Sequence, residues 1–193
     1  MKNIFLKLFG IVLSLGILSI MIVNPVQAAA NEGRGGPGGK NQNSGAVNQR
    51  GNGGTGLAFV ETEPLSTAEV ESLQAAIMEE YMAYNTYSEI IVQYGQVTPF
   101  SRIVKAEYQH ASALIRLADY YNVEVPENAG QTFDFSYTTL AEACQVGVEI
   151  ETLDAADLQK LISETENPNL IRVYTNLMNA SLNKHLVAFE ACN

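Results

Sequence analysis

"VKAEYQHASALIRL", residues 104–117, is the stretch that decides the fold. Its apolar residues recur at the three- and four-residue steps of one helix face. Extended both ways, that face reads Phe100, Ile103, Glu107, His110, Leu114, Leu117 and Tyr121. A carboxylate and an imidazole therefore stand on a stripe whose other members call for burial. An unpaired buried carboxylate is costly, and such a group either raises its pKa or finds a cation.

Working outward, punctuation residues divide the chain from Glu63 onward into four helical stretches, roughly 67–94, 99–122, 137–163 and 168–191. "PLSTAE" sets Ser66 three residues before Glu69, a capping box. "TPF" makes Thr98 an N-cap and Pro99 the first helical residue, and "NPNL" repeats the device with Asn167 and Pro168. "SYTTLAE" opens a further helix near Ser136. No stretch alternates with the period of two that a half-buried strand requires. The first and last connections are short, so helices one and two, and three and four, are expected as antiparallel pairs. The middle connection, "VEVPENAGQTFDFS", has 14 residues. At about 3.3 Å each it reaches about 46 Å, beyond the roughly 36 Å of a 24-residue helix. The expected fold is all-α, a four-helix bundle with one long crossover between helices two and three, the ferritin-like arrangement. Length alone leaves an up-down bundle open.

Every stripe carries polar groups. Helix one reads Leu73, Ile77, Glu80, Ala83/Tyr84, Tyr87, Ile91, Tyr94; helix three reads Leu140, Cys144, Gly147, Glu151, Asp154/Ala155, Leu158, Leu161; helix four reads Tyr174, Met178, Ser181, His185, Phe189. Basic residues do not share these faces, because Arg102, Lys105 and Lys184 project elsewhere. A bound metal remains as a way to hold the acids together. Two divalent cations balance Glu80, Glu107, Glu151 and Asp154, and the chain's two histidines, His110 and His185, complete six ligands. Singly each residue has an ordinary reading: Glu80 as a solvated stripe edge, His185 as a hydrogen-bonded core histidine. Glu79, Glu149 and Asp157 lie off the stripes and read as solvated.

The two cysteines offer a partly separate check. Opposed residues of an antiparallel helix pair have a constant index sum, and 144 + 192 equals 151 + 185. If Glu151 faces His185, Cys144 faces Cys192 two turns away. Those two form either a disulfide pinning the end of helix four or a pair of free thiols.

Residues 1–28 read as a cleaved secretory signal. They have a basic start at Lys2 and Lys7, a 16-residue apolar run, and a small-residue site ending at Ala28. The run is short for a bilayer span, which needs about 20 residues, so stable membrane insertion after cleavage is not expected. Residues 29–62 are a Gly/Asn-rich linker. Within it, residues 31–57 hold 10 of the 15 glycines and almost nothing apolar, the composition of a flexible tether. The domain proper is residues 63–193. Formal charge is −10 for the whole chain. Without residues 1–28 it is −12, from 9 basic and 21 acidic residues. An acidic exported protein does not suit nucleic-acid binding, which calls for a basic face.

"EYMAYNTY", with Glu80, Ala83, Asn85 and Tyr87, resembles the first-helix Glu-x-x-Ala-x-Asn-x-Tyr pattern of rubrerythrin-type proteins, and "FSRIVKAEYQH" resembles their second-helix Glu-x-x-His. Together with "GVEIETLDAADL" and "NASLNKHLVAF", the stretch 66–190 looks like the ferritin-like family catalogued as domain of unknown function 2202. The resemblance implies a dimetal centre, di-iron or related, at Glu80, Glu107, His110, Glu151 and His185. It departs from rubrerythrin at Leu182, where a second Glu-x-x-His would need an acid. Asp154, one turn after Glu151, is the candidate replacement. A four-cysteine rubredoxin-type module is also missing, which weakens the case for peroxidase turnover but not for metal binding.

The expectation is an exported protein binding two divalent metals, iron first, with manganese or zinc equally suited to carboxylate and imidazole ligands. Dioxygen or peroxide would be the partners of an oxidase or peroxidase-type reaction. Tyr84 and Tyr87 are candidates to hydrogen-bond the ligating groups or to be oxidised, with plain core packing as the alternative. The competing readings are a carrier that sequesters metal without turnover and a metal-free helical domain that docks a partner. Oligomeric state is not readable.

Overall fold

The computed structural model describes residues 58–192. The signal reading and most of the linker reading lie outside those residues. The described chain is all-α and no strand occurs in it. Its helices are α1 (Thr67–Tyr94), α2 (Phe100–Tyr120), α3 (Leu140–Ser163), α4 (Pro168–Ala180) and α5 (Leu186–Glu190), with a π-helical turn, Ser181–His185, joining the last two. None of the helices described is long and apolar enough to cross a membrane.

Local chemistry explains the starts. The Glu69 amide donates to Ser66 Oγ, while the Ser66 amide donates to Glu69 Oε2, so the expected capping box forms. Asn167 Oδ1 likewise accepts from the Asn169 and Leu170 amides ahead of α4. Two starts differ from expectation. Helix α2 begins at Phe100 with Pro99 at the cap, and the Ser101, Arg102 and Ile103 amides go to the Val97 and Pro99 carbonyls rather than to a threonine side chain. Helix α3 begins at Leu140, not near Ser136. Thr139 forms a second capping box with Glu142, and that reciprocal pair outcompetes a serine that has no acid three residues on.

Two apolar clusters fill the interior. One joins Leu73 and Ile77 at the start of α1 to Leu114 and Leu117 at the end of α2, with Leu158 of α3 and Leu170 and Tyr174 of α4. The other joins Tyr87 and Ile90 of α1, Phe100 and Ile103 of α2, Cys144 and Ile150 of α3, and Phe189 of α5. Helices α1 and α2 are thus antiparallel, and so are α3 and the α4–α5 helix. The end of α2 belongs to the first cluster and the start of α3 to the second. The segment between them follows α1: Gln74 donates to the Glu124 carbonyl, Asn85 to that of Gln131, and the Phe133 amide to Thr86 Oγ1, before Tyr137 meets the Tyr94 ring.

Residues ahead of Glu63 are tied to the helices. Asn169, fully buried, exchanges hydrogen bonds with the Val60 backbone, and Thr62 pairs with Tyr121. Cys192, after α5, forms a disulfide with Cys144 near the start of α3, with Cα atoms 5.8 Å apart.

Candidate metal centre

Between the two apolar clusters lie Glu80, Glu107, Glu151, Asp154 and His185, all buried, with His110 half-buried beside them. Each sits where the helical stripe turns inward, one or two from each long helix. Glu107 is the middle member. Its Oε2 lies 2.9 Å from His110 Nδ1 and its Oε1 lies 3.0 Å from His185 Nδ1. The far side of each imidazole nitrogen meets another acid. His110 Nδ1 is 3.4 Å from Glu80 Oε2, and His185 Nδ1 is 3.3 Å from Glu151 Oε2. The two imidazoles stack with centroids 5.3 Å apart and planes 22° from parallel. The result is a chain, Glu80–His110–Glu107–His185–Glu151, with near-symmetric halves about one carboxylate.

The electrostatics follow from that order. Burial works to push Glu107 up, but the close contacts and charge of both histidines overcome it and hold the carboxyl at about 2. Burial works to lower His185, but its contacts with Glu107 and Glu151 lift it to about 9. His110 is raised for the same reason, against its burial, chiefly by Glu107. The outer acids carry the opposite shift. Glu80 is pushed well up by burial and then by the charges of Asp154 and Glu107. Burial lifts Glu151 to about 7 against the opposing His185 bond, and lifts Asp154 to about 6 against the Ser181 hydroxyl.

The donor set fits a cation. Ligand atoms about 2.1 Å from one metal stand about 3.0 Å apart at adjacent octahedral positions and about 3.4 Å apart in a tetrahedron. Three of the four imidazole–carboxylate separations fall in that interval, and the fourth, Glu107 to His110 at 2.9 Å, lies just below it. Glu107, His110 and His185 also bring one ligand atom each within 4.8 Å of one another. Glu80 Oε1, Glu107 Oε1 and His110 Nδ1 are buried with no aligned hydrogen-bond partner, close to their neighbours but not directed at them. Buried polar atoms are nearly always satisfied, so three such orphans in one cluster call for an explanation.

The family model of an uncharacterized protein domain, DUF2202, matches residues 69–192. The chain belongs to the DUF2202 family. A relative in Methanocaldococcus jannaschii, the uncharacterized protein MJ0754, is 32% identical over 148 residues, covering 69% of this chain and 79% of that protein. The crystal structure of hypothetical protein MJ0754 superposes with a TM-score of 0.62 at 30% identity, over 68% of this chain and 83% of that one. A conserved hypothetical protein of Mycobacterium tuberculosis, rv2844, shares the fold at 14% identity, with a TM-score of 0.58 over 66% of this chain and 98% of its own.

In this DUF2202 domain the two tyrosines part company. Tyr87 is fully buried against Phe100 and Phe189, and its hydroxyl donates to Glu151 Oε1 at 2.7 Å. Burial, then the charges of Glu151 and Glu107, pushes that phenol well above its ordinary range, so it stays a donor. Tyr84 instead pairs with the Tyr108 ring in an outer groove. Asp154 is buried beside this chain of contacts but belongs to none of its ion pairs; its carboxylate accepts from the Ser181 hydroxyl.

Two features escaped the sequence reading. Glu79 is half-buried rather than solvated, and burial, then Asp154 and Asp157, lifts it to about 8. The π turn also changes the phase of the last helix. The Leu186 amide bonds to the Ser181 carbonyl, Ser181 and His185 both face inward, and Leu182 is exposed. An acid at 182 would therefore point away from the cluster, and Ser181 holds the inward position. Nothing in the residue pattern announces the extra residue in that turn.

Proposed function

We propose that this domain is a ferritin-like four-helix bundle with one long crossover, and that its core holds two divalent metal ions, iron first, with manganese or zinc as alternatives. The single observation that carries the reading is Glu107, which presents one carboxylate oxygen to each histidine. One ion would lie among Glu80, Glu107 and His110, the other among Glu107, Glu151 and His185. Asp154 is the fourth acid, and it brings the ligand charge to the −4 that two divalent ions neutralise. The fold reading is supported by the course of the segment along α1, which returns the chain to the opposite end before α3 begins.

A redox-active metal pair supplies one- and two-electron chemistry toward dioxygen or peroxide. The chain's own residues hold the ligands rigidly, exclude bulk water with the Tyr87–Phe100–Phe189 rings, and keep a proton on Tyr87 directed at Glu151. Both of the chain's cysteines are used in the disulfide, so electrons for repeated turnover would come from outside the domain. Export is supported by the signal-like residues 1–28 and suits a disulfide-bonded domain.

Metal analysis after loading with Fe(II), Mn(II) or Zn(II) should give two equivalents per chain. Glu107→Ala should lose both because both halves share it, and His185→Ala should lose one, each with helix content by circular dichroism nearly unchanged. Unaltered stoichiometry in both variants would remove the ligand assignment. Stopped-flow oxidation of the Fe(II)-loaded protein then separates an oxidase from a carrier that sequesters metal.

One observation favours a second, metal-free reading. With both histidines protonated, Glu107 and Asp154 ionised, and Glu80 and Glu151 protonated, the charges of the cluster sum to zero. On that reading the cluster only sets the register of a helical domain on a tether, and thermal stability ignores all three added metals.

A further inference from the structure

Beside the buried cluster, an open cavity of about 420 Å³ lies between the start of α2 and the end of the chain. Cavities of roughly 300 to 1,000 Å³ are the size that holds small molecules. Arg102 on α2 and Lys184 in the π turn line it, both exposed, and His185 stands in the wall behind them. No acidic residue lines it, although the chain has 21 acids against 11 basic residues. Among the described residues neither Arg102 nor Lys184 has a carboxylate within ion-pair distance; the ion pairs present use Lys160 and the two histidines. Apart from Thr98 the remaining wall is apolar, with Ile103 and Ala106 from one helix facing Ala188 from the other.

Two unpaired cations on opposite helices, above an apolar wall free of acids, form a recognition pattern. A bare inorganic anion would use the cations and leave the wall wetted by nothing it can bond. An uncharged apolar molecule would use the wall and leave two charges idle. We propose that this cavity binds a small organic carboxylate, with its anionic end between Arg102 and Lys184 and its apolar body against Ile103, Ala106 and Ala188. Arginine suits this role because its planar fork matches a carboxylate and lysine adds a mobile point charge. The whole molecule is strongly negative, so recruitment depends on these two side chains rather than on the overall field. The site needs no metal to form.

Benzoate, inorganic phosphate and benzyl alcohol separate the contributions of charge and wall. Saturation-transfer NMR on the full chain, both metal-free and metal-loaded, should show saturable benzoate binding in each state. Phosphate should bind more weakly than benzoate, and benzyl alcohol should not saturate. The double variant Arg102→Gln/Lys184→Gln, with both positions at the surface, should keep its helix content and weaken benzoate at least tenfold. Ile103→Ala serves as the wall control and should weaken benzoate while sparing phosphate. The proposal is overturned by absence of saturable benzoate binding in both states, by benzoate affinity unchanged in the double variant, or by phosphate binding tighter than benzoate. Because the metal-free protein is one arm, loss of metal binding leaves this test intact.

Discussion

At the residue scale the centre depends on how a few buried groups share protons. Tyr87 is the clearest case, since its phenol is both a wall of the aromatic cluster and a donor to Glu151. Tyr87→Phe keeps the ring and removes the donor. A buried acceptor left without its partner costs about 1–3 kcal/mol. Urea unfolding of the metal-free variant should show a loss of that order. The loss should shrink after metal loading, because an ion on Glu151 takes over the abandoned oxygen's bonding. An equal loss in both states would mean that Glu151 gains nothing from metal. Tyr84 should be indifferent to the same pair of measurements, because it faces Tyr108 in the outer groove.

At the element scale the last helix does the most specific work. Its π turn brings Ser181 and His185 inward together, and Phe189 one turn later packs directly over Gly147 of α3. A Cβ built on Gly147 would stand 2.4 Å from the Phe189 ring, which is fully buried and closed in by Tyr87 and Phe100. Gly147→Ala sets two effects against each other. Helix propensity gains about 1 kcal/mol, whereas forced overpacking in a dense core costs about 1–3 kcal/mol or more. The contact is too close for the ring to yield by small shifts, so net destabilisation is expected, read as a lower urea midpoint. Displacing Phe189 also moves His185, one turn away, so His185-side metal affinity should fall while the Glu80–His110 half is spared. A variant as stable as the parent would mean that α3 and α5 pack less tightly than this contact implies.

At the scale of the whole molecule, stability and metal loading should respond to pH in opposite directions. Glu151 and Asp154 titrate in the fold at about 7 and about 6, above their ordinary values of 4.5 and 3.8. Their ionisation therefore weighs against the folded state as pH rises through that interval. His185 is raised from 6.5 to about 9, so its stabilisation is complete below 6.5 and is lost as pH rises through 9. Glu107 is held at about 2, and its contribution disappears only in strong acid. All the groups that titrate between about pH 5 and about pH 9 point the same way, and the metal-free domain should lose thermal stability across that range. Metal ligation needs the same protons removed, so affinity should climb over the same range. Melting curves at both ends, with and without Zn(II), test the pair of trends. A metal-free melting temperature that rises toward pH 9 would contradict the compensated cluster.

What the sequence determined by itself is whatever short-range order carries. Approximate helix extents, the Ser66 and Asn167 caps, the inward stripes and the candidate ligands were legible because periodicity and capping depend on neighbours within a few residues. The constant index sum of an antiparallel pair tied the Cys144–Cys192 and Glu151–His185 pairings to each other, and both occur, with the disulfide in place of the free thiols that were the alternative. Tertiary structure alone decided how the helices rotate against one another. That rotation gives Glu107 both histidines, turns Tyr87 in and Tyr84 out, and draws Glu79 toward Asp154 although it lies off the stripe. It also decided the π turn, which leaves Leu182 exposed, and brought Ser181, already on the inward stripe, to Asp154. The physical reason is that a linear pattern states which residues share a helix face, whereas a bound ion or a shared proton requires atoms from four helices within a few ångströms. Only the packing of those helices sets such distances.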